Sequence, residues 1–286
     1  MDSNIINSIT ALAGILAALA AVFSLYYQRK QNRRDRFENT FFGMLQLQQQ
    51  IVNDLSVKHE QRVMLSEDDI NLGRKSKEQI IEHDIQGRNL FHYSFSIIEH
   101  EILYNGRPYK KVSGMSGVLY ECGLSAYHDY HTPTYFDHYF RHLYRMLKFI
   151  EQKGNVLSKD EQYEYASMIR ATLSRHELVW LFYNGLSDYG NEKLKPLIEK
   201  YCMLKNLRED YLSLCLENMN LLKEVGITGK DLENASFCCT DYIFFLTDEK
   251  GDKSKYHLSA FYRDNDVQKG QELLTNWRQF LDENKK

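Results

Sequence analysis

The sequence predicts a mainly α-helical fold: a single N-terminal transmembrane helix followed by a cytoplasmic helical domain, with a small β-hairpin near the C-terminus. Three observations predict it. Only 3 prolines interrupt 286 residues, so long helices meet few obligatory breaks. No charged residue lies between Asp2 and Arg29. Beyond that run, apolar residues recur at three- and four-residue spacing, the period of an amphipathic helix.

The first element is the run from Ile5 to Tyr27, IINSITALAGILAALAAVFSLYY. A helix of about 22 residues is about 33 Å long, which matches the hydrocarbon core of a bilayer. A cleaved signal peptide would carry a basic leader and a shorter apolar stretch, whereas this leader carries Asp2. Arg29, Lys30, Arg33, Arg34 and Arg36 follow at once. Basic residues stay on the cytoplasmic side, so a single-pass chain with its N-terminus outside is expected. Tyr26 and Tyr27 suit the interfacial belt. Ala13, Ala17 and Ala21 form a small-residue stripe with Gly14 and Ala18 beside it. Such stripes let helices approach closely, and a homo-oligomer through the membrane is one expectation.

The formal net charge of −3 conceals a division of the chain. Residues 1–27 carry −1, residues 28–36 carry +4, and the remainder carries −6. The chain therefore divides into an anchor with a basic juxtamembrane segment, 1–36, and a cytoplasmic helical domain, 37–286. The collar is expected to meet anionic membrane lipid. The acidic domain lacks the basic footprint of a nucleic-acid binder. Cys122, Cys202, Cys215, Cys238 and Cys239 include no CxxC pair, so neither a zinc site nor a disulfide framework is predicted.

Within the domain, Phe37 to about Asp54 continues as a helix. Residues 56–76, with Ser-Glu-Asp-Asp at 66–69, are expected to be a capped linker. A helix is predicted from Lys77 to Tyr104, then a loop over 106–118, with three glycines and one proline. Phe136, Tyr139, Phe140, Leu143, Met146, Leu147 and Ile150 make Thr134 to Gln152 the clearest amphipathic helix, bounded by Pro133 and Gly154. One helix is expected over Ser158 to Ser187, and another from Pro196 to about Glu224. Tyr242 to Leu246 and Tyr256 to Phe261 suggest the hairpin. Val267 to the end closes the chain as a helix.

Two polar stripes are candidates for chemistry. His138, Arg141, His142 and Arg145 share one face at i, i+3, i+4 and i+7. A histidine pair at i, i+4 can hold a metal, but Tyr139 stands where a zinc-protease motif has glutamate, and no third ligand is identifiable. No metal and no cofactor are predicted. The stripe fits a polar interface or a carboxylate or phosphate site. On the next helix Arg170, Ser174, Glu177 and Asn184 share a face. The expected role is an ion-pair network, Glu177 with Arg141 or Arg145, and Asn184 with nearby backbone. Arg170 and His176 also have the R-x(4–6)-H spacing of HEPN-type ribonucleases. On a continuous helix, however, they diverge by about 240°. No Walker loop, GxGxxG, HExxH or GxSxG is present.

Several segments together resemble the phage abortive infection (AbiC-like) proteins of bacteria. They are FENTFFGMLQLQ at 37–48, GRNLF at 87–91, HYFRHLYRMLKFIE at 138–151, YASMIRATLSRHELVWLFYNGL at 165–186 and KPLIEKYCMLKNL at 195–207. YHLSAF at 256–261 extends the likeness. The resemblance implies anti-phage defence, in which infection triggers growth arrest or death of the host cell, and it transfers no catalytic residue. With the apolar anchor, the expected location is the bacterial inner membrane, and a phage protein or defence-system component is an expected partner. A HEPN-like ribonuclease using Arg170 and His176 is the enzymatic alternative, and a membrane scaffold is a third reading.

Overall fold

In a computed structural model, residues 3–64, 78–94, 133–187, 190–208 and 241–283 are described. Helix α1, Ser3–Asp54, runs without a break from the apolar segment into the folded domain. The sides of Leu12, Ile15, Leu16, Leu19, Val22 and Phe23 are open, and this helix is long and apolar enough to cross a membrane. Farther along, Phe37, Phe41, Gln48 and Val52 are buried. Their four- and seven-residue spacing is one helical face.

Strand β1, Ser56–Met64, follows directly and pairs antiparallel with β2, Glu78–Gln86. The linker expected at 56–76 and the helix expected from Lys77 are thus corrected: 56–64 and 78–86 are strands. Cross-strand pairing, Ser56 with Gln86 through Met64 with Glu78, overrides the local helical pattern. The expected cap at 66–69, the rest of the helix beyond residue 94 and the loop at 106–118 lie outside the described residues. Gly87, at φ +62, reverses the chain, and its N–H bonds Leu55 O at 2.7 Å. A side chain is strained in that conformation.

Helix α2, Pro133–Glu151, buries all seven of its anticipated apolar positions. It runs antiparallel to α1: Phe149 near its end stacks on Phe37 at 5.2 Å, and His142, two turns earlier, meets Gln48. Two helices replace the one expected over 158–187. Helix α3, Lys159–Thr172, and helix α4, Arg175–Leu186, each begin with a capping box, Ser158 with Glu161 and Ser174 with Glu177. The second box stops α3 and starts α4, because an N-cap residue takes extended backbone; Ser174 has φ −73 and ψ 168.

Helix α5, Lys195–Lys200, is far shorter than expected from Pro196. Cys202 adopts φ 52, a left-handed conformation that ends a helix. The anticipated continuation beyond residue 208 lies outside the described residues. Near the C-terminus, helical turn α6, Asp241–Phe244, leads to β3, Leu246–Thr247, which pairs parallel with β4, Tyr256–His257. The hairpin is therefore corrected to a two-residue parallel contact. The intervening chain turns at Gly251 (φ +87) and again where Asp252 accepts from Ser254 N–H. Helix α7, Val267–Glu283, closes the described chain and buries Leu274 and Trp277.

The C-terminal segment docks on α4 through one tyrosine. Tyr256 is fully buried and donates to Phe182 O at 2.9 Å. Gly185 leaves room for that hydroxyl, since a Cβ there would overlap Tyr256 OH and crowd Ile198. Gly185→Ala is expected to lower stability by about 1–3 kcal/mol, through overpacking and a displaced phenol. Chemical denaturation of the full chain in detergent measures it; an unchanged midpoint would contradict this packing.

Candidate functional site

The site starts from the second capping box. Ser174 Oγ accepts the Glu177 N–H at 3.2 Å, and Glu177 Oε2 accepts the Ser174 N–H at 2.7 Å. A carboxylate here also faces the positive end of the α4 dipole. Unlike an ordinary surface cap, Glu177 is only 1 % exposed, and a buried carboxylate needs a positive partner. Arg88, just after β2, provides it, with Nε 3.3 Å from Glu177 Oε2. The same guanidinium donates to Thr172 O at 2.6 Å and to Gln49 Oε1 at 3.2 Å. Arg88 thus ties α1, the end of α3 and the start of α4 together.

Helix α2 adds Tyr139 and His142. Tyr139 is fully buried, and burial pushes its phenol well above the usual range, with the Glu177 charge acting in the same direction. The hydroxyl is near enough to feel that carboxylate, yet closes no hydrogen bond among the described residues. One turn on, His142 Nδ1 lies 2.7 Å from Gln48 Oε1, so the ring donates from Nδ1. Gln48 is 1 % exposed, and its Nε2 also has no partner among the described residues. A carboxylate, a guanidinium, a phenol, an imidazole and a carboxamide therefore converge where α1, α2 and α4 meet. The cluster can hold charge and relay strain between helices.

The residues anticipated from sequence divide between this cluster and other places. His142, Ser174 and Glu177 come together in it. His138, Arg141 and Arg145 face outward; Arg141 Nη2 lies 3.4 Å from Asp137 Oδ2 and from His138 Nδ1. The partner of Glu177 is corrected from Arg141 or Arg145 to Arg88, because those two arginines project from the solvent face of α2. The Asn184 carbonyl accepts from Ser187 N–H and Oγ at 3.1 and 2.6 Å, closing the end of α4. Arg170 and His176 lie on different helices, α3 and α4. Arg170 is buried and donates to Cys202 O at 2.7 Å, holding the left-handed turn after α5. His176 packs edge-on against His92 at 4.6 Å. Gln48, Arg88 and Tyr139 were not anticipated as site residues. The S-x-x-E spacing at 174–177 was the available signal for the cap.

At the N-terminus, Gly14 and Ala18 lie on an open helix surface and Tyr27 is exposed. The side chain of Ile5 lies outside the description. Arg29, Lys30, Arg33 and Arg36 are exposed. Arg34 turns inward instead, reaching Glu161 Oε1 at 2.7 Å and Glu38 Oε1 at 3.0 Å. Tyr165 donates to the same Glu38 oxygen at 2.8 Å.

A groove of about 1180 Å³ opens on another side, between the α2–α3 turn, α5 and the C-terminal segment. Tyr163, Tyr201, His257, Tyr262 and Arg263 line it. Its charges are largely paired internally: Arg263 with Asp160 at 2.7 Å and Lys200 with Glu151 at 3.1 Å. Burial pushes the Cys202 thiol up to about 11, which favours the protonated form in the groove wall. Cys122, Cys215, Cys238 and Cys239 lie outside the described residues.

With this geometry in place, comparison with known proteins gives one match. Residues 131–211 match the family model described as "Putative phage abortive infection protein". The matched stretch spans α2, α3, α4 and α5, and includes Tyr139, His142, Ser174 and Glu177. Gln48 and Arg88 fall outside it, as do the similar segments at 37–48, 87–91 and 256–261. No curated protein and no solved structure gives a significant match.

Burial lowers the affinity of His142, His176 and His257 for a proton, and for His176 the neighbouring His92 and Arg175 add to it. The unfolded chain then binds more protons than the folded one just below the ordinary histidine value of about 6.5, so stability falls as pH falls through that value. The carboxylates of Glu38, Glu151 and Glu161 are held below their ordinary range, and they respond only in more acidic solution. Melting temperature is expected to drop between pH 7.5 and 5.5. His142→Asn, which keeps a neutral N–H donor, should flatten part of that slope; an unaltered slope would contradict the His142 assignment.

Proposed function

We propose that this is a membrane-anchored anti-phage defence protein acting by abortive infection. The observation that carries the reading is the match of residues 131–211 to the phage abortive infection family. The apolar start of α1 supports the anchor, and the basic residues after it support a cytoplasmic domain with the N-terminus outside. In this reading the domain senses a phage or host component and triggers growth arrest or death. Its other partners are membrane lipid and a second copy of the chain. The location is the bacterial inner membrane.

The unbroken α1 supports coupling between the two parts. A helix without Pro or a glycine hinge at the membrane boundary transmits tilt and rotation. Near its far end, Gln48 and Gln49 touch His142 and Arg88. A change in the polar cluster and a change at the membrane would therefore be linked through one rigid element.

Phage challenge tests the reading. Cells expressing the full chain should plate at least one phage less efficiently, with host growth arrest after infection. Leu16→Arg with Leu19→Arg should abolish protection, because each arginine costs about 2.5–3.5 kcal/mol at the centre of a span. Full protection by the soluble double variant would remove the anchor from the account, and no protection across a broad phage panel would remove the defence role.

A further inference from the structure

The packing around α1 fixes which surface of the domain lies against the bilayer, provided that α1 crosses it as proposed. Helix α2 runs back towards the apolar segment, since its Gln48-facing residue His142 precedes its Phe37-facing residue Phe149. Helix α3 then runs away, with Glu161 beside Arg34 and Tyr165 beside Phe37 and Phe41. The α2–α3 turn, residues 152–158, therefore lies at the end of the domain that faces the span. Arg34 lies seven residues beyond Tyr27, about 10 Å along the helix axis. Glu161 sits at the level of Arg34, and Lys159 and the turn lie closer to the span. The interfacial layer on each side of a bilayer is about 5–8 Å deep. A lysine side chain of about 6 Å reaches it from this level.

The charges here are sorted. Most acids at this end are engaged by cations, Glu161 and Glu38 by Arg34, Glu151 by Lys148 and Lys200, and Asp160 by Arg263, while the exposed Asp35 accepts from Gln31. Lys159 is exposed, and Lys153 is part-exposed over the Phe149 ring at 4.9 Å. Arg29, Lys30, Arg33 and Arg36 on α1 are exposed as well, so basic side chains from two separate parts of the chain lie at this end. We propose that the α2–α3 turn docks on anionic phospholipid headgroups through Lys153 and Lys159, holding the domain upright against its own membrane. The collar alone would leave the domain free to swing about α1; a second contact on another element fixes its orientation. Each basic residue near an anionic surface contributes modestly, and a cluster contributes through its sum.

The test uses the full chain in lipid nanodiscs, with a photocrosslinking amino acid in place of exposed Asn155 and, as a control, in place of Tyr27. Discs of phosphatidylcholine alone are compared with discs containing phosphatidylglycerol. The expected result is phospholipid adduct at position 155 in the anionic discs, several-fold less in neutral discs, and several-fold less in Lys153→Gln/Lys159→Gln. The Lys153→Arg/Lys159→Arg variant should retain it. Adduct at 27 without adduct at 155 would overturn the docking and leave the span intact. Equal adduct at 155 in both lipids would overturn anionic recognition. No adduct at either position would overturn the span, and the docking with it.

Discussion

The buried carboxylate of Glu177 is the constraint around which the folded core is arranged. It lies almost wholly out of water, and an unpaired charge there would cost several kcal/mol. Two requirements follow. Ser174 must start a new helix so that the carboxylate can accept its N–H, and Arg88 must be brought alongside from a distant part of the chain. The first requirement breaks the polypeptide between α3 and α4. The second fixes the chain that leaves β2, because Gly87 turns it at the point where Arg88 can reach Glu177, Thr172 and Gln49. Phe91, three residues later, then packs against Phe136 and Tyr139, and its carbonyl accepts from Trp180 at 3.0 Å.

The same arrangement gives the molecule its mechanical character. Phe37 stacks on Phe149 and meets Tyr165 edge-on, and with Phe41 alongside these rings grip α1 at its entry into the domain. The Gln48–His142 contact grips it again three turns later. The polar cluster is the softer region: Gln48 Nε2 and Tyr139 OH lack partners among the described residues, and each such group costs about 1–3 kcal/mol.

Local features were legible in the sequence. The apolar run, the seven-residue stripe of α2 and the start of α7 all follow from periodicity within a single helix, which short windows report. The two capping boxes were present as S-x-x-E at 158–161 and 174–177. The second was hidden because Leu173 and Leu178 continue a helical pattern across the break. What could not be read depends on distant pairing. Ile80, Ile81 and Ile85 fit a helix as well as a strand until β1 is placed beside them. Gln48 sits in a glutamine-rich run, QLQQQ at 46–50, with nothing local to single it out, and Arg88 has no partner close in sequence to mark it. An ion pair is expected for Glu177, but the spacing of Arg141 and Arg145 puts them on the face of α2 opposite its apolar stripe, and that face lies in solvent.

The most direct test is a double-mutant cycle of Arg88→Gln and Glu177→Gln, each alone and together, read by chemical denaturation of the full chain in detergent. The half-exposed Arg88 weakens the pair relative to a fully buried one. A coupling energy of about 1–3 kcal/mol is predicted. Single variants whose losses simply add, to within about 0.5 kcal/mol, would contradict it: the carboxylate would then be held by its cap alone, and Arg88 would not organise the core.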